Sequence, residues 1–398
     1  MRKIALTLPS LPLSGVGTSV AIIQKGLINA GFAVEMIITG HDPGNDVQYA
    51  QDKNISIKLP CVHERYLPRR LRLLAECLNS NGYDIILNNT SAETQLVLPC
   101  INPEILRVAV MRVLNPSALR HLAMNSNYLH AAVGISEEMT RSMAADSRIQ
   151  PPVKLIPNCT LSRAETLPAL SSRVKICYVG RLSIPDKNVL VLPDVVKMLI
   201  CHGVSFSMDI VGDGPARKQL EGGFGGSFRS GVTFHGPLSR EETQAIMVRS
   251  NFVLLPSVSE GLSNVMLDGM ALGCVPVCSD IDNFKWVLGD AASQLQCRLH
   301  DPEDYARRIV FLARRPETYH EMQQYLRNRQ QELFTPEKTT QGYINLIEGL
   351  SSGNARVLPP PVAFEKMRIP LEYRMYCTPA WRLAQKAKEI VGGRKRGA

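Results

Sequence analysis

Glu260 and Asp268 are two carboxylates with seven residues between them, inside the run Ser257-Val-Ser-Glu-Gly-Leu-Ser-Asn-Val-Met-Leu-Asp-Gly-Met-Ala-Leu-Gly-Cys-Val-Pro-Val277. Before this run stands Asn251-Phe-Val-Leu-Leu-Pro256, a short β-forming apolar stretch that predicts a buried strand, and Cys274-Val-Pro-Val-Cys278 predicts another after it. Val265, Leu267, Met270, Ala271 and Leu272 predict a short helix between the two, stopped by Gly273 as its C-cap. Glu260 then lies in the loop before the helix, and Asp268 inside the helix. The amides of Leu262, Ser263 and Asn264 fall at the helix start, where N–H groups lack intrahelical partners and attract anions. An acid, an amide cradle and a second acid suit a ligand with hydroxyls at both ends and phosphate between, such as a nucleotide sugar. Taken alone, the pair is as simply a capping carboxylate and a solvated helix residue; the flanking residues favour the first reading.

Two cations join this set. Val174-Lys-Ile-Cys-Tyr-Val179 predicts a strand, and the loop Gly180-Arg-Leu-Ser-Ile-Pro-Asp-Lys-Asn188 after it carries Arg181 and Lys187. On one strand-end loop an Arg fork and a Lys point charge could clamp a diphosphate, although a loop Arg and Lys are more often plain surface charges. Ser207-Met-Asp-Ile-Val-Gly-Asp-Gly-Pro215 predicts strand then turn, with Gly212 and Gly214 supplying backbone freedom. Near the N-terminus Lys3–Leu8 predicts the first strand. The loop Ser14-Gly-Val-Gly17 follows, with Gly15 and Gly17 able to let backbone approach a diphosphate, then a helix from about Thr18 to Asn29. His235, on the strand Val232–Gly236, reads as a structural strand residue.

The motif Ser-Glu-Gly-Leu-Ser-Asn-Val-Met-Leu-Asp-Gly-Met-Ala-Leu-Gly-Cys-Val-Pro-Val resembles the Glu-x7-Glu signature of retaining glycosyltransferases of group 1 (family 4), with Asp268 where that family carries Glu. The resemblance covers most of 174–350 at motif level and is thinner before residue 160. It implies an α/β GT-B fold, with two doubly wound Rossmann-like domains facing a central cleft and a final helix crossing back to the first domain. It further implies that Glu260, Arg181 and Lys187 carry catalysis. Donor binding falls to Gly15, Gly17, Gly212, Gly261, Leu262, Ser263, Asn264 and Asp268. Glu260 would hold hydroxyls of the transferred sugar, Asp268 the ribose, and the two cations the departing diphosphate. The resemblance assigns no metal site, so no cofactor or metal is expected beyond the nucleotide-diphosphate sugar itself, such as a UDP- or GDP-sugar. Many relatives place a first-domain His toward the sugar. Here the matching strand ends Val110-Met-Arg-Val-Leu-Asn115 without one, so no general base is assigned. A degenerate scaffold binding a partner or membrane, or an epimerase of the same fold, remain the alternatives.

Around these motifs the alternation of strands and helices calls for doubly wound parallel sheets. A chain of 398 residues exceeds what one core serves. The expected division is a first domain over 1–160, a linker over 161–173, a second domain over 174–365, and a returning helix with a basic tail over 366–398. That helix is predicted at Pro379–Val391 and the tail at Arg394-Lys-Arg396. No segment approaches the ~20 uninterrupted apolar residues of a membrane span. Pro9 and Pro12 interrupt the N-terminal apolar run, so it reads as a strand and not a signal sequence. Ten cysteines without Cys-x-x-Cys pairs point to a reducing cytoplasm. Forty-five Lys and Arg against 36 Asp and Glu leave +9. That excess could serve nucleic acid, but without zinc-ligand spacing, aromatic-interleaved basic runs or a helix-turn-helix pattern no nucleic acid is expected. The excess suits a phosphorylated donor, a glycan or glycolipid acceptor, and an anionic membrane surface on its inner face. The cluster Arg65, Arg69, Arg70 and Arg72 around Tyr66, Leu67 and Leu71 is the candidate membrane patch, or else a solvated helix start.

Overall fold

The structure is a computed structural model and describes residues 1–11, 15–40, 50, 55–61, 64–225, 231–370 and 373. The predicted helix Pro379–Val391 and the basic tail lie outside the described residues, as do Ser14 and His63. The chain forms two compact units, one of 1–134, 142–154 and 344–398, the other of 135–141 and 155–343.

The first unit holds a seven-stranded sheet: β1 (Lys3–Leu8), β2 (Ala33–Ile38), β3 (Ile57–Lys58), β4 (Ile85–Asn89), β5 (Leu106–Met111), β6 (Ala131–Gly134) and β7 (Val153–Leu155), in the order β3-β2-β1-β4-β5-β6-β7. The pairs from β3 through β6 are parallel. Strands covered on both faces are apolar over most of their length, and β1 and β4 are buried over nearly their whole length, with Asn88 and Asn89 closing β4 at its carboxyl end. The helix Leu67–Ser80 packs Leu71, Leu74 and Leu78 onto Ile37 and Ile86. β3 has no counterpart in the sequence pattern: two residues of ladder with Met36 and Ile37 are too short to leave a periodic signal. The first helix begins at Gly15 and not at Thr18, so Gly15 and Gly17 are its first turn instead of a free loop.

In the second unit β8 (Val174–Val179), β9 (Phe206–Val211), β10 (Val232–Gly236), β11 (Phe252–Leu255), β12 (Val275–Ser279) and β13 (Gln296–Cys297) form a parallel sheet in the order β10-β9-β8-β11-β12-β13. Strand order reverses direction between β8 and β11, and loops leaving the carboxyl ends of two such strands diverge to opposite faces and leave a crevice. The predicted strand–loop–helix–strand unit is β11, the helix Asn264–Leu272 and β12. Ser263 caps that helix from 3.3 Å at the Met266 amide, and Gly273 ends it at φ +82°.

The division differs from the sequence expectation at residues 155 and 343, and residues 135–141, expected in the first domain, fall in the second unit. Residues 155–173 belong to the second unit and are no linker, because polar groups there and in that unit take up one another's backbone. The Thr160 amide meets the Phe334 carbonyl at 3.2 Å, Arg327 the Ala164 carbonyl at 2.6 Å, Gln323 the Pro168 carbonyl at 3.1 Å, and Asn251 the Ala169 carbonyl at 3.0 Å. The second unit ends within the helix Pro336–Gly349, at Tyr343, and the chain rejoins the first unit at Ile344 and not at 366. There the Val362 amide donates to the Pro99 carbonyl at 2.8 Å and Arg72 to Glu365 at 2.9 Å.

Candidate active site

The crevice between β8 and β11 is where the sequence places its strongest residues. Arg181 and Lys187 come from the loop after β8, and Glu260 from the loop after β11. The Val258 amide donates to the Asp186 carbonyl at 2.9 Å and ties one loop to the other.

The β8 loop holds its shape through its neighbour. Leu182 donates to the Asp213 carbonyl at 2.9 Å, Ala216 to the Leu182 carbonyl at 3.0 Å, and the Tyr178 hydroxyl to the Arg181 carbonyl at 2.9 Å. Gly212, at φ +125°, has no room for a side chain: a Cβ there would overlap the Gly180 carbonyl. Its amide is taken by the Gly236 carbonyl at 2.8 Å. The structure therefore puts Gly212 behind the loop that carries Arg181, where it shapes that loop, and leaves its N–H committed.

Lys187 donates to Oε1 of Glu260, and the Ser257 hydroxyl reaches the same oxygen from 2.9 Å. Asn283 holds the Glu260 carbonyl at 2.6 Å. Both charged side chains are mostly buried, 23% and 14% exposed, so the pair is held and not merely adjacent. Arg181 behaves differently. It is 65% exposed and meets Asp186 at 2.6 Å. Burial raises the Asp186 pKa, but the Ser183 hydroxyl and Arg181 outweigh it and hold the carboxyl below its ordinary value. Asn188, next to Lys187, adopts φ +48° and meets His300 at 3.2 Å. Its Nδ2 and the Asn283 Oδ1 are buried without a partner, polar groups that call for a ligand or water.

Asp268 stands in a second cluster on the same unit. Its Oδ1 accepts from the Thr160 hydroxyl, from Ser162 at 2.7 Å and from Arg240 at 3.1 Å, while Gln244 donates to Ser162 at 2.7 Å. Gly261, Leu262, Ser263 and Asn264 run between Glu260 and the helix, with the first-turn amides at the site. Gly15 and Gly17 lie in the other unit. His235 holds Asp209 on the neighbouring strand at 2.6 Å, the structural role expected of it.

Sequence reasoning missed Asp186, Ser257 and Asn283 around the cations and Glu260, and Thr160, Ser162 and Arg240 around Asp268. Asp186 and Ser257 were within view, beside residues already singled out. The other four come from distant segments and carry no local signal.

Two parallel α/β units with these strand orders define a GT-B fold. The structure of Anabaena HepE in complex with UDP and glucose matches with a TM-score of 0.71 at 14% identity, over 88% of this chain and 100% of that one. That of the lipopolysaccharide outer core galactosyltransferase WaaB matches at 0.67 and 14% identity, over 88% and 99%. Residues 173–315, the stretch that holds Arg181, Lys187, Glu260 and Asp268, match the family model of group 1 glycosyl transferases. An uncharacterized glycosyltransferase of Methanocaldococcus jannaschii is 26% identical over 34% of this chain, and the alpha-D-kanosaminyltransferase of Streptomyces kanamyceticus 30% identical over 31%. The matched stretches span 37% and 32% of those relatives' own lengths.

Proposed function

We propose that the protein transfers a sugar from a nucleoside-diphosphate sugar to a hydroxyl of a glycan or glycolipid acceptor, with retention of anomeric configuration. The observation that carries this reading is the Lys187–Glu260 pair at the point where the strand order reverses, with Arg181 on the same loop as Lys187, all within the stretch that matches the family model. Glu260, fixed by Lys187 and Ser257, offers its carboxylate to sugar hydroxyls. Arg181 turns from Asp186 to the diphosphate at little cost, since an exposed ion pair is worth about 0–1 kcal/mol. Lys187 and the first-turn amides complete the anion site. Charge that grows on the leaving diphosphate meets the held Lys187, the mobile Arg181 and helix amides, so the reaction needs no divalent metal. The leaving phosphate takes the acceptor's proton.

The acceptor we assign to a cell-envelope glycan or glycolipid. Support comes from the +9 charge and from the lipopolysaccharide galactosyltransferase among the matched folds. The arginine cluster lends less than its sequence promised, because Arg69, Arg70 and Arg72 are paired with Glu64, Glu93 and Glu365. Attraction to an anionic surface would then rest on the remaining basic residues. Calorimetry with UDP and GDP tests the donor site, and proton spectra of the product anomer formed from the matching nucleotide sugar test retention. A chain that bound neither nucleotide would be a scaffold, and the transferase reading would fall.

A further inference from the structure

The first unit contains a cavity of about 110 Å³ at the carboxyl ends of β4 and β5, walled by Ala92, Ala109, Met111, Ala118 and Leu122. Parallel sheets bind ligands at this end of their strands, and β4 borders the order reversal of its own sheet, β1 against β4.

Most of its polar lining is engaged within the unit, and of the two polar groups nearer the mouth Thr90 donates to the Asn89 carbonyl at 2.7 Å while the His121 ring lies 5.5 Å from that of Tyr373. Asn88 accepts from the Ser91 amide at 2.9 Å and donates to the Ser91 carbonyl and to Gln95. Gln95 donates to the carbonyls of Leu122 and Met124 at 3.1 and 2.5 Å, and Ser91 meets Thr39 at 2.8 Å. A sugar pushed into this space would leave its hydroxyls without partners, which costs more than the burial returns. A hydrocarbon loses nothing there.

The mouth is built and not frayed. Thr90, on the rim, adopts φ +58°, a conformation a β-branched residue rarely takes, and such outliers gather at ligand sites. The buried Arg112 fixes the residue before it, donating from Nε and Nη2 to Asn89 Oδ1 at 3.1 and 2.8 Å. Val113 lies on the same rim with 47% of its surface exposed.

We propose that this cavity binds a short hydrocarbon segment of the acceptor. Naming the acceptor rests on the transfer reaction proposed above; the affinity for hydrocarbon does not. The segment comes from an alkyl chain or an aromatic aglycone, which share the chemistry of an apolar group next to a glycosidic oxygen.

The test is calorimetry on the full chain with glucose, the alkyl glucosides from methyl to hexyl, and phenyl glucoside, below micelle formation. UDP and GDP are titrated into the same samples. Affinity should rise about fourfold per methylene until the cavity is filled and then level off. A phenyl compound stronger than butyl points to an aglycone, a weaker one to a chain. Ala118→Phe fills the cavity and should weaken butyl glucoside at least tenfold while nucleotide affinity holds. Val113→Asp, on the solvent-facing rim, should do the same without disturbing the core if the filled variant does not fold. Chain-length dependence in a protein that binds no nucleotide keeps the cavity and removes the transferase. Length-independent binding, or butyl affinity unchanged in a folded variant, removes the cavity.

Discussion

Arg240 places its guanidinium 3.1 Å from Oδ1 of Asp268, the same oxygen that takes the hydroxyls of Thr160 and Ser162. Oδ2 of that carboxylate has no partner among the described residues. One oxygen is anchored and the other is left to accept from a ligand. Three donors on Oδ1 fix the direction of a side chain one methylene shorter than Glu.

The two oxygens should separate in mutants. Asp268→Asn can keep an acceptor toward Arg240 but turns the outward oxygen into an N–H donor. Nucleoside diphosphate affinity should drop about tenfold, ~1.4 kcal/mol, with a small change in stability. Ser162→Ala should do the opposite, lowering urea stability by about 0.5–1.5 kcal/mol and leaving nucleotide affinity within twofold. Equal nucleotide affinity in wild type and Asp268→Asn would make the cluster purely structural.

Glu260→Gln keeps shape and removes charge. Turnover should fall by about two decades, ~3 kcal/mol of transition-state stabilisation. Because the substitution weakens the hold on Lys187, nucleoside diphosphate affinity should hold or rise slightly. A variant with near-normal turnover would return Glu260 to a role in loop structure.

Arg181→Ala should weaken nucleoside diphosphate binding at least tenfold and lower turnover as well, since its exposed guanidinium is the cation freest to turn. Asp186→Asn, which releases Arg181, should bind nucleotide at least as well as wild type. Weaker nucleotide binding in Asp186→Asn would mean that the ion pair itself positions the loop.

Transfer should proceed in excess chelator at the rate seen with magnesium. Loss of transfer in chelator, restored by magnesium or manganese, would show that the cations do not suffice.

A separate prediction concerns stability against acid. Glu35 on β2 takes Lys58 at 2.6 Å, Lys3 at 3.2 Å and the Tyr83 hydroxyl. Burial raises its pKa, but these donors outweigh burial and bring it from the ordinary 4.5 down to about 2. A lowered folded pKa contributes stability fully present above pH 4.5 and lost as pH falls toward 2. The urea midpoint of wild type should fall more between pH 7 and pH 3 than that of Glu35→Gln. Parallel declines would assign acid sensitivity to other groups.

The sequence by itself determined the strand–loop–helix–strand unit around Glu260, the alternation that makes parallel sheets, and the strand ends that carry Arg181 and Lys187. Those are local facts: an apolar run, a capping Ser263 and a stopping Gly273 act within a few residues of themselves. Tertiary structure decided everything that depends on partners far apart in the chain. Arg240, Thr160 and Ser162 meet Asp268 across 28, 108 and 106 residues, and no periodicity records such a meeting. Gly212 read as a turn glycine with backbone freedom, and only the neighbouring loop showed that it also clears space for the Gly180 carbonyl. The domain boundary moved for the same reason. Residues 161–173 read as a linker, but their backbone groups are taken up by side chains from the second unit, and hydrogen-bonding partners decide where such a segment belongs.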